Sequence, residues 1–145
     1  MTRVDFYVLE DEHDKAANQF VCRLAEKAYK LDNHVYVHTD NQQEAEQLDQ
    51  MMWTFKQGSF VPHSLYNTET AADCPVLIGH DHEPEDNTEV LINLSTQVPT
   101  FFSRYERIVE LVAGDANSRH QARERYKFYR DRGYALETHN LSKQA

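Results

Sequence analysis

Apolar positions along the chain recur with two different periods, and the switches between them outline the fold. TRVDFYVL at 2–9 alternates and is rich in Val, Phe and Tyr, which predicts a first strand. Over 14–31 the period lengthens: Ala17, Phe20, Val21, Leu24, Ala28 and Leu31 share one face of a helix. Asp32-Asn33 reads as a turn, and HVYVHT after it as a short strand. Asp40-Asn41 marks a helix start, with Ala45, Leu48, Met51 and Met52 as its apolar stripe. The stretch from Trp53 to Cys74 reads mostly as loop, broken by Gly58 and Pro62. PVLIG at 75–79 and EVLINLS at 89–95 are strand-like, and the polar HDHEPEDNT at 80–88 lies between them as a surface loop.

VPTFFSRY at 98–105 predicts a short helical turn. RYERIVELVAG at 104–114 fits either period. Its Ile108-Val109 and Leu111-Val112 pairs, rich in β-branched residues, and the closing Gly114 favour a strand. Asp115 then caps a helix to about Arg132, Gly133 stops it, and ALETHNL closes as a last strand. Strands alternating with helices in this order predict an α/β fold. The expectation is a single three-layer Rossmann-like domain over 1–145 with a largely parallel central sheet, without repeats or interdomain linkers.

Composition narrows the class. At 145 residues, 40% of them hydrophobic, the chain can bury a real core. Its mean hydropathy of −0.76 fits a soluble globular protein. The acidic N-terminal segment through Glu10, Asp11 and Glu12 does not resemble a signal peptide, and no apolar run is long enough to span a membrane. Cys22 and Cys74 sit in apolar contexts, FVCRLA and DCPVLI, and read as reduced core residues, so the expected location is cytoplasmic.

Charge is unevenly placed. Residues 1–114 carry 8 basic and 20 acidic side chains, a net −12. Residues 115–132 carry 6 basic and 3 acidic side chains, a net +3. An acidic body argues against strong direct binding of nucleic acid. The local basic segment suits a small acidic partner, the alternative being a solvated helix face.

Catalytic patterns are missing. None of the four glycines, Gly58, Gly79, Gly114 and Gly133, builds G-x-G-x-x-G or G-x-x-x-x-G-K-[ST], so a phosphate cradle has no loop to form it. His80, Asp81, His82, Glu83, Glu85 and Asp86 crowd one loop, but without a second cluster at ligand spacing a solvated loop is the plainer reading. Glu10, Asp11, Glu12, His13 and Asp14 follow the first strand, where α/β ligand sites lie, yet acids also favour a helix start. Cys22 falls mid-helix with no base beside it in sequence. The reading is no catalytic residue, no metal and no cofactor; an α/β enzyme of nucleotide or phosphate chemistry is the alternative.

On the last helix, Arg119, Arg123, Lys127 and Arg130 are spaced 4, 4 and 3 apart and form one stripe, with Ala122, Tyr126 and Tyr129 beside it. Cations flanked by rings suit a peptide that presents carboxylates and an apolar side chain together. A plain amphipathic helix with Tyr126 and Tyr129 packed on the sheet would give the same pattern.

ARERYKFYRDRGYAL at 122–136 resembles the C-terminal helix signature of the chi subunits of bacterial DNA polymerase III. So do VDFYVL at 4–9, EVLINLS at 89–95, and the LD…W…SFVPH pattern of Leu48, Asp49, Trp53 and Ser59 to His63. The resemblance runs nearly end to end. It implies a non-catalytic accessory subunit of the clamp-loader part of the replicase, in DNA replication. It implies two partners: the small psi subunit, and the acidic, phenylalanine-terminated tail of the single-stranded-DNA-binding protein. Arg123, Tyr126 and Lys127 fall on the motif positions for the tail. Arg119 stands where the family often has Lys, Arg130 continues the stripe, and Val112 would wall the terminal ring. The psi contact would map to Trp53, Phe60, Val61 and Pro62, unless Phe60 and Val61 pack in the core. His63 belongs to the same block without an assigned role.

Overall fold

The structure is a computed structural model that describes residues 2–10, 14–66, 74–81, 83–84 and 89–141. In chain order the elements are β1 (Arg3–Leu9), α1 (Asp14–Lys30), β2 (Val35–Thr39), α2 (Gln42–Thr54), β3 (His63–Leu65) and β4 (Val76–His80). They continue with β5 (Val90–Asn93), a 3₁₀ turn (Phe102–Arg104), β6 (Arg107–Val112), α3 (Ala116–Asp131) and β7 (Ala135–Leu141). The strands form one seven-stranded sheet in the order β3-β4-β2-β5-β6-β1-β7. Every pairing between these strands is parallel, so the sheet is wholly rather than largely parallel.

Side-chain alternation sorts the core into two layers. Leu9, Val35, Val37, Ile78, Ile92, Val109 and Leu111 face α1 and α2, meeting Val21, Ala25, Leu48 and Met52. Val4, Phe6, Tyr36, Leu77, Leu91, Ile108 and Val112 face the other way, against the 3₁₀ turn and α3. The fold is therefore a three-layer α/β/α sandwich. The ambiguous 104–114 segment is strand β6, paired to β1 on one side and β5 on the other.

Helix ends follow their local signals. Asn41 accepts from Glu44 N–H at 2.9 Å and Asp115 accepts from Ser118 N–H at 3.0 Å, capping α2 and α3. Gly133, at φ 81°, closes α3: its N–H donates to Arg130 C=O at 3.0 Å and that of Tyr134 to Tyr129 C=O at 3.2 Å. One sequence expectation fails at such an end. Leu31 is not on the buried face of α1; the helix ends at Lys30, Asp32 turns at φ 65°, and Leu31 is exposed. The 53–74 loop contains the short edge strand β3. Cys22 is buried and burial pushes its thiol up to about 12, whereas Cys74 is only half-buried. No described helix is long and apolar enough to cross a membrane.

Candidate interaction surfaces

The first surface is a groove between α3 and the sheet. Phe6 and Val8 of β1, Val112 of β6 and Thr138 of β7 form its floor. Arg119, Ala122, Arg123 and Tyr126 of α3 form its wall. Strand register explains the convergence: Phe6 pairs with Thr138, and Val8 with Val112, and these residues all point to the α3 side. The groove encloses about 220 Å³. An apolar cavity of about 150 Å³ suffices for a benzene ring in other proteins.

The structure thus brings Val112, Arg119, Arg123 and Tyr126 together at one groove. Val112 is buried in its floor, and Tyr126 is half-buried with its ring 5.4 Å from Phe6. Arg119 and Arg123 are exposed at the rim and make no ion pair among the described residues. Lys127 and Arg130 do not line the groove. Lys127 is exposed further along α3, and Arg130 is held by Asp131 at 3.2 Å. Tyr129 is fully buried on the sheet, as the amphipathic alternative had it.

What fastens α3 went unread in the sequence. Only Ala122, Arg125 and Tyr129 of this helix are buried, and two of the three carry polar atoms. Both serve Glu110, whose fully buried carboxylate accepts from Arg125 Nε at 2.9 Å and Tyr129 Oη at 2.6 Å. Asn93 Nδ2 donates to the same carboxylate at 3.0 Å, and Arg125 also donates to Thr96 C=O at 3.3 Å. Burial pushes the Glu110 carboxyl above its ordinary value, with Arg125, Tyr129 and Asn93 pulling against it. Two patterns could have revealed the pair: Glu110 interrupts the apolar run from Ile108 to Val112, and Arg125 falls three after Ala122 and four before Tyr129.

The second surface lies at the opposite edge. Trp53, at the end of α2, and Phe60, in the loop before β3, are 53% and 65% exposed with ring centroids 6.0 Å apart. Pro62 is half-buried. Val61 is 1% exposed and belongs to the core under α1 and α2, so its side chain is not part of this surface. Beside Trp53 a groove of about 540 Å³ runs between α2 and β3, past Ala45, Asp49, Leu65 and Ile78.

Other candidates carry less. The crevice beyond the strand ends lies between Asn18 of α1 and Ser118 of α3, where open α/β sheets hold ligands, and it encloses about 210 Å³. Its cation, Arg125, is already committed to Glu110 and Thr96. Of the acidic groups read at 10–14 and 80–86, Asp11, Glu12, His13, His82, Glu85 and Asp86 lie outside the described residues, as does the side chain of Asp14. Among the described residues, Asp5, Glu137 and His139 bring ligand atoms within 4.8 Å of one another. Asp5 there is tied to Arg107 at 2.8 Å and His139 at 3.2 Å.

Residues 1–137 match the family model described as DNA polymerase III chi subunit, HolC. The DNA polymerase III subunit chi of Pseudomonas aeruginosa is 40% identical over 97% of this chain and 98% of its own. That of Escherichia coli is 29% identical over 95% of this chain and 97% of its own. The crystal structure of T4 UvsW superposes with a TM-score of 0.69 over 97% of this chain and 42% of that one, at 7% identity, a likeness of fold alone.

Proposed function

Because the chain belongs to the family of DNA polymerase III chi subunits, we propose that it is a non-catalytic accessory subunit that joins two partners during replication. One partner is the acidic C-terminal tail of the single-stranded-DNA-binding protein, received at the α3 groove. The other is the psi subunit of the clamp-loader complex, received at the Trp53–Phe60 surface.

The observation that carries the reading is the α3 groove. It combines an apolar floor large enough for one ring with two exposed arginines at its rim. A chain ending in phenylalanine presents a ring and a terminal carboxylate a few ångströms apart. Such an end can place the ring on Val112, Ala122 and Tyr126 while Arg119 or Arg123 forks the carboxylate. Lys127, and Arg130 beyond it, then lie along α3 for the acidic residues upstream. A duplex or single strand offers phosphates but no terminal ring, and it meets a net −12 over residues 1–114, so direct nucleic-acid binding is weak.

Fluorescence anisotropy with a labelled, acidic, phenylalanine-terminated peptide tests this. Wild type binds, added salt weakens binding, and Arg123→Ala lowers affinity roughly tenfold or more while the protein stays folded. A folded protein that does not bind the peptide, or binds it equally well without Arg123, refutes the tail reading.

A further inference from the structure

The connection from α2 to β3 exposes Phe60, yet it is fastened on both sides of that residue. Immediately before it, Ser59 Oγ donates to the Glu26 carboxylate of α1. Lys56 and Lys30 flank the same carboxylate at 3.5 and 3.8 Å. Immediately after it, Val61 is buried, and its C=O lies 2.7 Å from His63 Nδ1. The other ring nitrogen of His63 lies 3.2 Å from the C=O of Asp49 in α2 and 3.5 Å from the Asp49 carboxylate. The His63 side chain is 1% exposed, and the Trp53 indole packs against it with centroids 4.5 Å apart.

A large ring gains free energy by leaving water, so an unconstrained loop would fold Phe60 inward. Here Ser59 is held to α1 and Val61 to the core. The residue between them can only point out. Trp53 is held in turn between Phe60 and the His63 ring.

We infer that Glu26 and His63 are positioning residues of the Trp53–Phe60 surface, fixing both rings before a partner arrives. Docking then need not order two aromatic side chains and the loop that carries one of them. The partner assigned to the surface rests on the psi reading; the positioning itself does not.

Trp53 is the only tryptophan, so its intrinsic fluorescence reports the surface without a label. Ser59→Ala removes one fastening and His63→Gln the other, and Ser59→Thr keeps the hydroxyl. Circular dichroism checks each fold. With both fastenings in place, Trp53 emission has high anisotropy, and acrylamide quenches it to the extent set by its half-exposed ring. Ser59→Ala and His63→Gln lower the anisotropy, increase quenching, and weaken binding of purified psi subunit roughly five- to tenfold. Ser59→Thr restores all three. Should His63→Gln unfold, Ser59→Ala decides. Folded variants with unchanged quenching overturn the positioning role. Unchanged psi affinity in Trp53→Ala overturns the psi reading instead, and the quenching result still judges the role of Glu26 and His63.

Discussion

Arg123 and Arg125 stand two positions apart on α3, and replacing each by Met separates what the helix does from what holds it. The Arg125 side chain is 7% exposed and pairs with a Glu110 side chain that is 0% exposed. Arg125→Met keeps most of the side-chain volume but leaves a buried carboxylate without its cation. Breaking a buried pair by removing one partner costs about 3–5 kcal/mol. Tyr129 and Asn93 still donate to Glu110, so the loss should fall near the lower end, about 3 kcal/mol. For 145 residues the unfolding entropy is about 0.3 kcal/mol/K, so the midpoint should drop by about 10 °C. Arg123 is exposed and unpaired among the described residues, so Arg123→Met should change stability by no more than about 0.5 kcal/mol. Thermal melts and urea titrations of both variants supply the comparison. A pH series identifies the cause. Without the guanidinium, the buried Glu110 carboxyl rises further above its unfolded value, so the folded state holds a proton more tightly than the unfolded one. The Arg125→Met deficit should therefore shrink from about pH 8 to about pH 5. Equal losses at 123 and 125, or a deficit that does not change with pH, would refute the view that the Glu110 pair anchors α3.

Three further outcomes are expected. Ala122→Leu fills the groove wall without touching a charge, so it should abolish binding of the phenylalanine-terminated peptide in the anisotropy assay while salt and Arg123 lose their influence on it. Burial pushes the Asp5 carboxyl up, but Arg107, His139 and Arg3 more than offset this and hold it below its ordinary value. Its stabilisation is therefore present above the unfolded carboxylate value and lost as pH falls through the lower folded one. Urea midpoints against pH should show an acid limb that flattens in Asp5→Asn. Gly133→Ala meets no atom within 4 Å but must hold φ at 81°, so it should cost about 1 kcal/mol in the same urea assay, from backbone strain alone.

Most of the architecture was legible because period and punctuation agreed. β6 was recognisable despite its ambiguity, since its apolar pairs lie between strands on both sides and need no polar face. β3 was not, because three residues directly after Pro62 carry no period; only the neighbouring β4 makes them a strand. Val61 and Phe60 shared one assignment in the sequence reading, partner contact or core packing. In the fold, the fastenings at Ser59 and His63 turn the two adjacent side chains opposite ways. The stripe on α3 placed Arg119 and Arg123 at the groove, but a rise of about 1.5 Å per residue carries Lys127 and Arg130 past its end. Arg125 counted only as one of the six basic residues of 115–132, because nothing in α3 names its partner. Glu110 lies fifteen residues earlier, on a different element.

The placement of the two surfaces fits a bridge better than either surface does alone. The α3 groove rests on β1, β6 and β7, one end of the sheet, and lies on the face opposite α2. Trp53 and Phe60 flank β3, the other end, on the α2 side. Five strand spacings separate β3 from β1, about 24 Å across a fully hydrogen-bonded sheet. On the proposed function, the sheet therefore holds the two partner sites at a fixed separation. In the proposed function the acidic body completes the logic: it repels the polyanion that a single-stranded-DNA-binding protein carries, while the exposed Arg119, Arg123 and Lys127 attract that protein's acidic tail. On the proposed function, recognition is thereby confined to the tail, and the nucleic acid stays with the protein that binds it.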